Sequence, residues 1–91
     1  MEWDIPIYEQ EVLRGQLRVE RQGLRTVFRA DCPAWDDTIK KVWLRGNGGN
    51  LLLGTLVPEG DRLKLNRTIS NAMLREKGLE HCQRSEIEGA M

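Results

Sequence analysis

Apolar and polar residues alternate along most of this chain, the period of strands that bury one face. Trp3, Ile5 and Ile7 alternate with Asp4, Pro6 and Tyr8, which predicts a first strand. Proline cannot donate to a ladder, so this strand is expected at a sheet edge. Gln10 to Leu13 reads as a short second strand. Gly15 then opens a segment from Gln16 to Glu20 with Leu17 and Val19 on one side. Gln22-Gly23 predicts a tight reversal into a second hairpin arm, where Leu24, Thr26, Phe28 and Ala30 oppose Arg25, Val27, Arg29 and Asp31. Cys32-Pro33 and the aspartates Asp36 and Asp37 end that arm in a turn.

The stretch from Ile39 to Val57 carries the densest apolar material. Two β-prone runs flank Gly46-Asn47-Gly48-Gly49-Asn50, the form of a hairpin with a slightly long loop. Both faces of this hairpin are apolar. Ile39 and Trp43 alternate with Val42 and Leu44, and Leu51 to Val57 is apolar on either parity. A body this small buries one face of each strand, so the second apolar face predicts full enclosure or a partner. Pro58-Glu59-Gly60-Asp61 predicts a turn into Arg62–Asn66, with Leu63 and Leu65 inward. The period then changes. Ser70 suits an N-cap, Asn71 to Lys77 contains helix formers, and Gly78 stands at the C′ position. Ile69 and Leu74 fit a hydrophobic staple. Leu79 to Ile87 reads as a final strand, with Glu88 to Met91 a frayed end.

The pattern predicts one mainly β domain over residues 1–91, six or seven antiparallel strands in a small sandwich or partly open barrel, with one short helix near the C-terminus. Sliding the chain on itself by 39 positions superposes Gly15 on Gly54, Leu17 on Leu56 and Leu24 on Leu63. This suggests two similar β units, about 3–28 and 42–67, with the glycines at equivalent bulge or crossing positions. The layout Gly-x-Leu-x-Val, then Phe-x-Ala-x-Cys, then Leu-Gly-x-Leu-Val-Pro-Glu resembles small uncharacterised bacterial all-β domains over residues 15–70. The resemblance lies in structural residues and implies no activity.

The charge balance changes the functional picture. Of 91 residues, fourteen are basic and fourteen acidic, giving a formal net charge of zero. A dedicated nucleic-acid binder carries a basic excess, whereas a neutral surface permits self-association. No apolar run approaches the roughly 18 residues of a membrane span, and the N-terminal residues show no signal core, so a cytoplasmic protein is expected. Cys32 and Cys82 are too few for a disulfide framework and read as reduced thiols.

No motif carries chemistry. His81 and Cys82 are neighbours, which in a strand face opposite ways and cannot chelate one ion, so neither a metal site nor a Cys–His pair is expected. The glycine-rich loop precedes a strand and lacks Gly-Lys-Ser/Thr, so it is a turn and no phosphate cradle. No catalytic residue or cofactor site is assigned, and no enzyme activity is expected. The leading expectation is a protein-interaction or structural module, self-associating as a homodimer, with Ile39, Trp43, Leu51, Leu53 and Trp35 as interface candidates. The second is a single-stranded nucleic-acid face formed by Arg18, Arg25, Arg29 and Lys64 with Trp35 as a stacking platform. Interleaved Glu20, Asp31 and Asp61 weigh against it, because cross-strand ion pairs explain the same pattern.

Overall fold

The alternating segments do form strands, and all of them join a single sheet. In the computed structural model, which describes residues 1–46 and 48–89, the strands are β1 (Glu2–Glu9), β2 (Val12–Gln22), β3 (Arg25–Pro33), β4 (Lys40–Gly46), β5 (Gly49–Thr55), β6 (Val57–Glu59), β7 (Arg62–Ser70) and β8 (Arg84–Gly89), with one helix, α1 (Asn71–Glu76), before the last. The sheet order is β5-β4-β8-β1-β2-β3-β7-β6. Only Leu56 separates β5 from β6 in the chain, yet they form opposite margins of the sheet. One bent segment thus brings the sheet round into a nearly closed barrel. The fold is mainly β, as the pattern predicts, with eight strands where six or seven were expected.

Inward residues of every large strand meet in one core, including Ile5, Ile7, Leu17, Phe28, Val42 and Leu44, all essentially without solvent contact. The β2–β3 turn is Gly23-Leu24, with Gly23 at φ +60°, and it leaves Leu24 outside the core at 85% exposure. Helix α1 begins beside it. The Asn71 amide donates to the Leu24 carbonyl at 2.9 Å, and the Asn71 side chain bonds Thr26 and the Gly23 carbonyl. Ser70 caps the helix by accepting from the Met73 amide at 3.2 Å, and Gly78 takes φ +70° behind Lys77. Ile69 and Leu74 are both buried, as a staple requires.

Three details depart from the expectation. First, β1 is not an edge strand; it lies between β2 and β8. The β8 ladder engages β1 only at Ile7 and Tyr8. The Pro6 carbonyl points to that side, accepting from Ser85 Oγ at 2.9 Å. The proline nitrogen therefore faces a stretch where no ladder bond is required. Second, Gln10 to Leu13 is no separate strand. Gln10 and Glu11 take φ +53° and +82°, making a two-residue turn that joins β1 directly to a continuous β2. Third, the final strand starts at Arg84; residues 79–83 are irregular, with a turn at Glu80 and His81. Glu88 and Gly89 pair with Lys41 and Lys40 and do not fray; the expectation for Ala90 and Met91, like that for Asn47, lies outside the described residues.

Both hairpins also carry an irregularity. In β1–β2, Ile7 faces Gly15 and Tyr8 faces Leu13, so Arg14 is an extra residue. In β4–β5, Val42 faces Gly54 and Trp43 faces Leu52, so Leu53 is extra. Both bulges adjoin one of the two glycines that the 39-residue offset superposes. Gly15 stands where β2 closes on β3, with the Asp31 carbonyl and Cys32 Sγ directly against its Cα.

Candidate interaction surface

The hairpin β4–β5 presents two different apolar sides. Lys40, Val42 and Leu44 point inward, and across the bulge Leu51 and Leu53 join them; Leu53 is 1% exposed and Leu51 packs on the core. Two interface candidates therefore belong to the interior, and Leu53 in particular is not available to a partner. Their neighbour Leu52 takes the outward place, 39% exposed and directly opposite Trp43. Ile39 shares the parity of Trp43 and is 60% exposed, about 13 Å up the strand with Lys41 between them. The polar groups around Trp43 are satisfied within the subunit. Its indole N–H donates to Glu88 at 2.8 Å, Arg45 lies 5.1 Å from its ring, and Arg45 also pairs with Glu86 at 3.2 Å.

Trp35 has a different task. It is half-buried against the core, between the Arg14 guanidinium at 4.4 Å and the Lys40 ammonium at 4.6 Å. Arg14 is itself held by Glu9 at 2.9 Å. Lys40 occupies an inward position and is 1% exposed. A buried ammonium needs three acceptors. It finds the Asp36 carboxylate, the Thr38 carbonyl at 2.9 Å and Thr38 Oγ1 at 2.6 Å. The bond from Lys40, then those from the Thr38 amide and hydroxyl, pull the Asp36 carboxyl down to about 2. The loop 34–39 is thus a plug held on the core by Trp35 and Lys40, and Trp35 is its lining, not an outward stacking platform.

Three of the four nucleic-acid candidates do come together. Arg18, Arg29 and Lys64 line an open groove of about 990 Å³ on the outer face of β2, β3 and β7, with Arg62 beside them. Arg25 stands away from it, paired with Ser70 near the helix. The groove arginines are already engaged. Arg18 bonds Glu2 and lies 3.7 Å from Asp4, Arg29 bonds Glu20 at 3.1 Å, and Arg62 bonds Asp31 at 2.9 Å. Asp4, Asp31 and Glu59 share the groove wall. These are cross-strand pairs on a mixed-sign face.

The thiols are buried and unpaired. Burial, with Asp31 second, pushes the Cys32 thiol up to about 11. Burial also raises Cys82, whose Sγ donates toward the Arg45 and Arg84 carbonyls. A thiolate nucleophile needs the opposite environment. His81 is exposed while Cys82 faces inward. Among the described residues no group of three or more His, Cys, Asp or Glu is placed to hold a metal ion. No helix of the described residues is long and apolar enough to cross a membrane. No family model, curated protein or solved structure matches the chain.

Sequence reasoning missed two residues that matter here. Leu52 was hidden because three consecutive leucines carry no parity of their own, and its face follows from the short turn that pairs Gly46 with Gly49. Lys40 was masked by its charge, because lysine is rarely an interior residue; the clue was its alternation with Val42 and Leu44.

Proposed function

We propose that this chain is a non-catalytic interaction module that associates with a second copy of itself through the β4–β5 hairpin. The observation that carries the reading is the pairing of outward Leu52 with Trp43 on a hairpin whose inner side already supplies the core. Zero net charge supports self-association, since two copies meet without long-range repulsion. Two free buried thiols support a reducing compartment, hence a cytoplasmic setting. The raised thiols also support a protein without nucleophilic chemistry.

Two or three side chains cover less than the roughly 800 Å² per partner of a standard interface. The dimer is therefore weak, with a dissociation constant in the micromolar range or above. Light scattering across a concentration series from about 10 µM to about 1 mM should show the mass rising toward twice 10.5 kDa. Trp43→Lys should hold it at the monomer value. A wild-type chain that stays monomeric over the whole series removes the reading.

A further inference from the structure

Strand β5 pairs with β4 on one side; on the other, no strand pairs with it among the described residues. Were the barrel fully closed, that edge would meet β7. Instead β6 leaves the β5 line at Leu56, and its ladder with β7 ends at Lys64. Beyond that point β7 pairs only with β3. The turn residues Gly48 and Gly49 are covered by Lys77 and Gly78. Asn50 to Leu53 is left as a short run of edge backbone, in which the amides and carbonyls that alternate away from β4 have no strand partner among the described residues.

Exposed edges are usually guarded by charge or proline. This one is not. From Gly46 to Pro58 there is no Asp, Glu, Lys or Arg, in a chain of which 31% is charged. Proline first enters at Pro58, in β6.

Resting on the self-association reading above, we infer that two copies join edge to edge, β5 against β5 in antiparallel register, with Leu52 facing Leu52 across a two-fold axis. Three arguments select a second copy as the occupant. An edge of bare backbone is satisfied by another extended strand with a bare edge, and a second copy brings one. A strand paired antiparallel with itself brings only the residue on the axis against its own twin, so a charge there would meet a like charge; β5 has none. Parity then restricts the register, and the outward apolar side chain selects it. Residues directly opposite in an antiparallel pair point to the same face, so the axis must pass through a residue and not between two. Centring on Leu52 sets outward against outward and places inward Leu51 opposite inward Leu53. The outer surface then carries an unbroken row, Trp43–Leu52 continuing into Leu52–Trp43 of the second copy, larger than the patch on either alone.

Two experiments decide it. Amide hydrogen exchange is followed at Asn50–Leu53 at concentrations below and above the mass transition. Edge pairing slows the amides that point away from β4 by about tenfold or more at the higher concentration. If the mass doubles while those amides exchange unchanged, edge pairing is overturned and association through the hairpin stands. If the mass never rises, both fall. The second experiment uses charge at the axis. Leu52→Lys and Leu52→Glu, both at an outward position, should each be folded and monomeric, because each sets like charges face to face. Mixed one to one they should form a mixed dimer. A mixture that stays monomeric, while the wild-type chain dimerises, overturns the Leu52 axis.

Discussion

Gly15→Ala isolates one steric contact. The backbone at Gly15 is not among the positive-φ positions, so alanine adds only a methyl group and no dihedral strain. That carbon would stand 2.6 Å from both the Asp31 carbonyl oxygen and Cys32 Sγ, and 3.0 Å from Cys32 Cα, roughly 0.8 Å inside ordinary contact. Two of those atoms are backbone of the adjacent strand and cannot swing aside. Overpacking of this kind costs about 1–3 kcal/mol, and the lost freedom of glycine in the unfolded chain returns about 0.4–1 kcal/mol. The net loss is about 1–2 kcal/mol, or about 5–15 °C in Tm for a domain of this size. Thermal unfolding by circular dichroism reads it directly. A double variant with Cys32→Ala removes the sulfur while leaving the carbonyl, so the two changes should couple favourably by about 0.5 kcal/mol or more. Gly15→Ala with a Tm at or above wild type would show that β2 does not close on β3 as described.

The leucine run gives a parity test: Leu53→Ala should cost about 2–5 kcal/mol in urea unfolding, as should Phe28→Ala, while Leu52→Ala at low protein concentration stays below about 1 kcal/mol; equal costs at 52 and 53 would contradict the inward place of Leu53 and the outward place of Leu52. The Asp36 carboxyl is held at about 2 in the folded chain, below its ordinary value near 3.9, so its contribution is present above pH 4 or so and is lost as pH falls through about 2. Asp36→Asn should therefore flatten the acid limb of Tm against pH, and parallel curves for the two proteins would refute the plug. Both cysteines should alkylate slowly at pH 7.5 in the native state and quickly in denaturant, because burial raises each thiol; fast native labelling of either would contradict its placement.

Where side chains announced a backbone preference, the sequence was a good guide. Ser70, Gly78 and the Ile69–Leu74 pair specify a helix of barely two turns, and its caps are where they belong. Gly23 specifies the β2–β3 turn. The illegible parts are those in which tertiary structure overrides local preference. Gln10 and Glu11 take positive φ without being turn formers, so the sequence pattern counts Gln10 to Leu13 as a separate strand and splits the first hairpin into three. Pro6 suggested an edge because the ladder on its far side could not be foreseen to begin one residue later. At the candidate surface, Trp43 and Ile39 kept their outward places. Leu51 and Leu53 lie inward and Leu52 outward because the turn is shorter than the glycine-rich run suggests, pairing Gly46 with Gly49 and so Leu44 with Leu51. The arginine cluster was visible as a cluster, yet only the register shows each groove arginine meeting a carboxylate.

The position of β8 governs how this molecule comes together. The β1–β2–β3 arm and the β4–β5 arm share no ladder with each other; the strand inserted between them is the one nearest the C-terminus. Ile7 must wait for Ser85, a partner some eighty positions away in the chain, and closing so large a loop is slow. Deleting everything from Arg84 onward would leave two half-sheets with raw flanks instead of a smaller barrel. The chain therefore acquires its cooperativity at the final stitch.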